Sequence, residues 1–174
     1  MKKTIKMLLT AMLLAFGGTA MGQIQIPGTH ISFELEPENW RYLRTFQLDD
    51  GADIFLYYYV GEVIVDTEGD TVLPFLRIYV NEEYSGDVYE LAYDRYMLQP
   101  FQSLHEYTHG PGLPRSGGIG YIGAYTNPTE QKDYQFMMTY FTSDDAIVEF
   151  RLETTKDTFE EMESEFKTIL STVR

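Results

Sequence analysis

The stretch that decides the fold is IVEFRLETTKDTFEEMESEFKTILSTVR, residues 147–174. Its first part alternates Val148 and Phe150 with Glu149 and Arg151, a period that predicts a β-strand. Its second part carries apolar residues at intervals of three and four, which is typical of an amphipathic helix. These residues are Phe159, Met162, Phe166, Ile169, Leu170 and Val173. Because such a helix must bury its apolar face, we expect it to lie on the sheet that contains the preceding strand.

Capping signals predict where two helices begin. Asp157 and Glu160 have the spacing of a capping box, so the C-terminal helix is expected to start after Asp157. Asp87 and Glu90 have the same spacing and predict a second helix in the middle of the chain. Pro100 is expected to end that helix, since proline disfavours helical backbone at the residue before it.

The remaining chain consists of short aromatic runs that predict strands. The stretch 54–65 reads as one long strand with a bend at Gly61, and 72–80 reads as the next strand after a hairpin turn at DTEGD, residues 66–70. Further strands are expected at 31–35, 42–47, 117–125 and 134–140. The order strands, helix, strands, helix with short turns predicts an α+β fold. Its central, mostly antiparallel sheet would be flanked by two main helices in an α/β/α-type sandwich.

The N-terminus has the pattern of a secretory signal peptide over residues 1–22. Three lysines, at positions 2, 3 and 6, precede an apolar run over 7–16, and small residues lead to a cleavage point after Gly22. The mature chain, residues 23–174, has the length of one domain and would lie in the periplasm or outside the cell. With no cysteine it has no lipid-anchor site, and no later apolar stretch is long enough to cross a membrane.

The charge of the chain excludes one class of partner. The formal net charge is −14, and loss of the three leader lysines brings it to about −17. Such a chain is repelled by the phosphates of nucleic acids and by anionic membrane surfaces. We therefore expect no nucleic-acid partner.

The layout resembles that of the Mog/PsbP-like superfamily. The resemblance rests on HISFELEPENW at 30–40, the mid-chain helix, GYIGAY at 120–125, and the closing strand and helix quoted above. It covers nearly the whole mature chain and implies a central antiparallel sheet between helices. It also implies work by binding and not by catalysis, although no functional residue of that superfamily finds a matching position here.

The stretch HEYTHGPG, residues 105–112, contains the H-E-x-x-H spelling of zinc proteases. In that alternative the protein is a zinc-dependent metallohydrolase with His105 and His109 as ligands and Glu106 as base. On a helix the two imidazoles would share one ion, but on a strand they would stand roughly 13 Å apart. Flanking prolines and glycines speak against a helix, and Arg115 occupies the position of the third histidine of the longer signature. The remaining acidic candidates for a third ligand are Glu130, Glu149 and Glu153.

We therefore predict an exported, non-enzymatic binding or accessory protein of the cell envelope that needs no cofactor. Its ligand, a protein or a small molecule, is expected against an aromatic sheet face or under the loop 101–118. Tyr107, His109 and Arg115 are the candidate ligand contacts in that loop. The acidic turn DTEGD resembles half of a calcium loop but lacks the terminal glutamate, and is interpreted as a hairpin turn.

Overall fold

The computed structural model describes residues 22–84, 86–98, 103–107, 119–143 and 146–174. The strands in chain order are β1 (Gly22–Gln25), β2 (Ser32–Leu35), β3 (Trp40–Gln47), β4 (Asp53–Tyr59), β5 (Ile64–Val65), β6 (Thr71–Val72), β7 (Phe75–Asn81), β8 (Ser103–Tyr107), β9 (Ile119–Asn127), β10 (Lys132–Ser143) and β11 (Ala146–Thr155). The helices are α1 (Val88–Leu98) and α2 (Phe159–Ser171). The predicted signal peptide lies outside the described residues, except for Gly22, which pairs with Leu35.

Seven strands form one sheet in the order β3-β4-β7-β11-β10-β9-β8. Every neighbouring pair in this sheet is antiparallel. Strand β11, predicted from the quoted stretch, lies at the centre between β7 and β10. The hairpins β1–β2 and β5–β6 form two small separate sheets. The predicted α+β class with a mostly antiparallel sheet is therefore confirmed.

Both faces of the large sheet are covered. One face packs against helix α2 and the β1–β2 hairpin, with Phe33, Phe150 and Phe166 among its buried residues. The other face packs against helix α1, with Phe136 and Tyr140 among its buried residues. Because no face of β11 meets water, the polar positions of its alternating pattern are buried as well.

Helix α1 begins as the sequence predicted. The Asp87 carboxylate accepts hydrogen bonds from the backbone N–H of Tyr89 and Glu90, at 2.8 and 2.9 Å. The Glu90 carboxylate in turn accepts the Asp87 N–H at 3.2 Å. These reciprocal bonds satisfy the amides that a helix leaves open at its first turn. Val88, Leu91 and Ala92 form the buried side of the helix.

The start of helix α2 differs from the prediction. Its N-cap residue is Thr158, whose side chain makes no capping hydrogen bond to the helix. The Asp157 carboxylate instead accepts the backbone N–H of Thr67 at 2.6 Å, in the turn between β5 and β6. The predicted capping box of Asp157 and Glu160 was therefore wrong, because a tertiary hydrogen bond takes the carboxylate.

The bond from Thr67 predicts an acid-sensitive contribution to stability. Hydrogen bonding to Thr67 lowers the pKa of Asp157 from 3.8 to about 2. A lowered pKa gives stability that is present above the unfolded value and is lost as pH falls through the folded value. We expect the free energy of unfolding to fall between about pH 4 and pH 2, and to fall less in Asp157→Asn. Urea unfolding at several pH values checks this, and an unchanged pH profile in the variant would contradict it.

Two long predicted strands are each interrupted. The stretch 54–65 was predicted as one strand, but β4 ends at Tyr59 and the chain turns through Gly61 before β5. The stretch 72–80 is likewise divided at Pro74 into β6 and β7, because proline cannot donate a ladder hydrogen bond. The predicted hairpin turn at DTEGD is confirmed between β5 and β6, with Gly69 at a φ of 90°.

A candidate binding cavity

An apolar cavity of about 280 Å³ lies between the β1–β2 hairpin and the large sheet. Its floor comes from β3, β4 and β7, and its roof comes from β1 and the residues that follow it. The described residues that line it are Gln23, Ile24, Gln25, Ile26, Pro27, Phe33, Tyr42, Thr45, Phe55, Tyr57 and Ile78. The cavity thus has the mostly apolar walls and few polar groups that are typical of sites for small apolar ligands.

The roof is held in place by local hydrogen bonds of the hairpin. The Gln25 amide donates to the carbonyl oxygens of Thr29 and Ile31, at 2.8 and 3.1 Å. Gly28 lies in the turn at a φ of 79°, a conformation that glycine adopts without strain. Two backbone hydrogen bonds between Ser32 and Arg174, and one from the His30 N–H to the Ser143 hydroxyl, join the hairpin to the rest of the fold. The cavity beneath it is therefore preformed.

The floor of the cavity is aromatic, and one of its tyrosines, Tyr57, has a raised pKa. The rings of Tyr42 and Tyr57 meet edge to face with centroids 5.5 Å apart, and Phe33 meets Tyr57 at 6.0 Å. Burial, assisted by the neighbouring Tyr42, raises the pKa of Tyr57 to about 12. The Tyr57 hydroxyl is therefore neutral at physiological pH and offers the cavity an uncharged donor and acceptor.

The described lining contains no carboxylate, imidazole or ammonium group. General acid–base catalysis needs a group whose pKa lies near the operating pH, and nucleophilic catalysis needs an activated nucleophile. Thr45 is the only aliphatic hydroxyl among these lining residues, and its Oγ1 lies 2.7 Å from the Tyr42 hydroxyl and not beside a base. The described lining thus offers mostly apolar contacts and a few polar groups.

The candidate contacts in the predicted loop remain predictions. Tyr107 is the last residue of β8, where its backbone pairs with Gly120 of β9. His109 and Arg115 lie outside the described residues. Because β8 and the cavity lining belong to opposite edges of the sheet, the described geometry does not bring Tyr107 to the cavity.

A zinc site would require a helix through His105 and His109. The described first half of this stretch is a strand and not a helix. His105 and Glu106 lie in β8, where they pair with Ile122 and Tyr121 in antiparallel register. The backbone from 103 to 107 is extended, as the flanking prolines and glycines predicted. Two of the three candidate third ligands are engaged elsewhere, since Glu149 lies 3.6 Å from the Arg77 guanidinium and Glu153 lies 2.8 Å from that of Arg151.

The acidic turn holds a lysine ammonium among its carboxylates. Asp66, Glu68 and Asp70 bring their carboxylates within 4.8 Å of one another. The Lys132 ammonium lies 2.5 Å from Asp66 and 2.6 Å from Asp70, in the place that a cation would need. The hydrogen bond from Lys132 lowers the pKa of Asp66, and the two aspartates raise the pKa of Lys132. The interpretation as a hairpin turn and not a calcium loop agrees with this geometry.

Replacing Lys132 with methionine should destabilise the acidic turn. The three carboxylates would repel one another without the ammonium, so we expect Lys132→Met to unfold at a lower temperature than the wild type. Calcium at about 1–10 mM should raise the unfolding temperature of the variant and leave the wild type unchanged. Thermal unfolding by circular dichroism measures both effects, with Lys156→Met, an exposed lysine, as the control. A calcium response in the wild type would contradict this account.

A group of charged side chains lies on the sheet face opposite the cavity. Arg151 is 2% exposed and Glu149 is also 2% exposed, although both occupy the polar positions of the alternating pattern. The Arg151 guanidinium carbon lies 4.4 Å from the Phe136 ring centroid and 5.0 Å from that of Tyr125. The cation–π contacts connect Arg151 of β11 with β10 and β9, and the ion pair between Arg77 and Glu149 connects β7 with β11.

The sequence predicted a strand in the aromatic run that became β4, but it did not predict the cavity. The cavity depends on the hairpin that covers the rings of Phe55 and Tyr57. Ile24 and Pro27 carried a signal in principle, because apolar residues just after a predicted signal peptide must find a surface to cover. Nothing local in the sequence indicated that this surface would be β3 and β4.

No protein-family model and no curated protein matches this chain. Among solved structures it is similar to LpqN, involved in cell envelope biogenesis of Mycobacterium tuberculosis, with 12% identity, a TM-score of 0.49, and coverage of 87% of this chain and 88% of LpqN. It is also similar to PsbP (CyanoP) from Synechocystis sp. PCC 6803, with 14% identity, a TM-score of 0.38, and coverage of 91% and 98%. PsbP is also the class of protein that the sequence layout resembles.

These likenesses concern the course of the chain, and a shared fold does not transfer a function. In the described part of the chain, no helix combines the length and the apolar character that a membrane crossing requires.

Proposed function

We propose that this protein is an exported, non-enzymatic binding module of the cell envelope that takes a small apolar group into the cavity under the β1–β2 hairpin. The observation that carries the proposal is a preformed cavity of about 280 Å³ with apolar walls and a few polar groups at its border. Such a volume suits one ring system or one large side chain, since complete drug-sized ligands fill about 300–1,000 Å³.

The leader pattern supports the cellular location. A basic start, an apolar run and small residues before Gly22 are the features that secretory signal peptides share. Cleavage there would leave β1 at or near the new N-terminus, and β1 forms the roof of the cavity. Cleavage of the leader during export would then release the strand that forms the roof of the cavity.

Binding of indole tests the proposal. We expect indole to bind with a Kd of about 1 mM or tighter and to shift NMR resonances of lining residues such as Ile24 and Ile78. The variant Thr45→Trp places a large ring on the border of the cavity and should weaken indole binding at least about tenfold. Thr45 is half-buried on the edge strand, so this change spares the central core.

The matched control is Thr71→Trp, which introduces the same ring at an exposed position of β6. It should bind indole as the wild type does. Absence of indole-dependent shifts at the lining residues, or equal affinity in Thr45→Trp and wild type, would refute the proposal.

A further inference from the structure

Strand β3 is an edge strand with an unusual surface. No strand of the described chain pairs with its outer side, which leaves backbone N–H and C=O groups open to another chain. Three of its apolar side chains are exposed: Tyr42 by 40%, Leu43 by 48% and Phe46 by 38%. An edge strand with exposed apolar residues is the surface to which an extended segment of another protein can add.

The charge of β3 is opposite to that of the chain as a whole. Its sequence WRYLRTFQ contains Arg41 and Arg44 and no carboxylate, in a protein with a net charge of −14. Both arginines are exposed, and neither forms an ion pair within the described chain. Arg44 lies over the Phe46 ring at 5.2 Å, and Arg41 donates to the Trp40 carbonyl at 3.2 Å. Two guanidinium groups thus lie along the open edge without acidic partners among the residues that the structure describes.

The edge is continuous with the cavity. Tyr42 and Thr45 belong to β3 and also line the cavity, so they border it on the side where no further strand follows. A chain segment laid along β3 would carry alternate side chains on the cavity side of the sheet. One of them could therefore enter the cavity while its neighbours meet the arginines.

We propose that the partner is an extended, acidic segment of another protein, which adds to the edge of β3 and places one apolar side chain in the cavity. This inference rests on the proposed function of the cavity and names its ligand class. Charge complementarity selects the segment, because carboxylates beside Arg41 and Arg44 form charge-assisted hydrogen bonds. The repulsion from the acidic remainder of the protein is screened beyond about 8 Å at physiological salt.

A second copy of the chain fits this edge less well. Pairing β3 with its own copy would bring four guanidinium groups onto two adjacent strands, and like charges opposite one another destabilise such a pair. The bulge between Tyr42 and Arg44 also interrupts the regular ladder. It restricts regular addition to a short segment and works against repeated stacking of copies.

The test uses a fluorescent peptide of sequence EVEFEVEV and the full mature chain. We expect binding by fluorescence anisotropy, displacement of indole by the peptide, and at least about tenfold weaker peptide binding in Arg44→Glu. The matched control is Lys156→Glu, which makes the same charge change at the residue that follows β11. Strand β11 lies three strands away from β3 in the sheet. It should bind the peptide as the wild type does. Arg44→Glu should still bind indole, which shows that its fold and cavity are intact.

Two peptide controls test the mode of binding. Successive N–H groups of a strand point to opposite sides, so N-methylation of two adjacent central residues blocks both edges of the peptide. This methylated peptide should not bind. The lysine version, KVKFKVKV, should not bind. Binding of the methylated peptide, equal affinity in Arg44→Glu, or a wild-type dimer joined through β3 in sedimentation would overturn the inference. Failure of indole to bind would instead refute the proposed function.

Discussion

Replacing Arg151 with methionine is expected to lower the free energy of unfolding by about 3–5 kcal/mol. The guanidinium is 2% exposed and lies 2.8 Å from the Glu153 carboxylate, on the sheet face packed against helix α1. Its removal leaves the Glu153 carboxylate, whose side chain is 16% exposed, without its counter-charge, and desolvated unpaired charge is among the most costly changes in a protein interior. The contacts with the Phe136 and Tyr125 rings are lost as well.

The measurement is urea unfolding followed by the fluorescence of Trp40, the only tryptophan. Arg41→Met, at an exposed position of β3, should change stability by no more than about 0.5 kcal/mol. The double variant Arg151→Met/Glu153→Met should recover part of the loss, because replacement of a whole buried pair by apolar residues is often neutral. A loss below about 1 kcal/mol in Arg151→Met would contradict this account and show that the cluster is solvated.

Truncating Phe166 to alanine should cost about 3–5 kcal/mol, the range for large aromatic side chains removed from a core. Phe166 is fully buried where helix α2 meets the sheet, with its ring 6.5 Å from Trp40 and 6.0 Å from Phe159. The Trp40 indole donates to Glu165 at 2.8 Å, so the helix is tied to β3 at the same place. A cavity left by Phe166 would therefore loosen both contacts.

The matched control is the adjacent Lys167→Ala. Its side chain is 46% exposed, and its ion pair with Glu163 spans one helical turn at 2.7 Å, a pair type worth about 0.3–0.5 kcal/mol. Urea unfolding with fluorescence and far-ultraviolet circular dichroism should separate the two variants by at least about 2 kcal/mol. Equal stabilities would mean that helix α2 contributes little to the core.

The elements that the sequence predicted well are those with a strong period or a local capping signal. The stripe from Phe159 to Leu170 defined helix α2, and Asp87 with Glu90 defined the start of α1. Predictions became wrong where a distant partner decided the outcome. Asp157 has the local spacing of a cap, but the Thr67 amide, far away in sequence, takes its carboxylate.

The polar positions of β11 show the same limit. The alternation of Glu149 and Arg151 with apolar residues predicts a strand with one face exposed to solvent. In the structure helix α1 covers that face of the sheet, and both side chains are buried. The candidate site depended even more on tertiary structure. The cavity arises where the β1–β2 hairpin lies over Tyr57, and no short-range pattern specifies which part of a sheet a hairpin will cover.

The central pairing of the sheet has a consequence for how the chain acquires its structure. Strand β7 completes its ladder with β11, and Ser32 exchanges two backbone hydrogen bonds with Arg174, at 2.9 and 3.0 Å. Contacts so remote along the chain give a high contact order, which slows folding. During synthesis, the first half of the chain lacks β11, the central strand with which β7 pairs. The large sheet can therefore be completed only after β11, near the C-terminal end of the sequence, has been made.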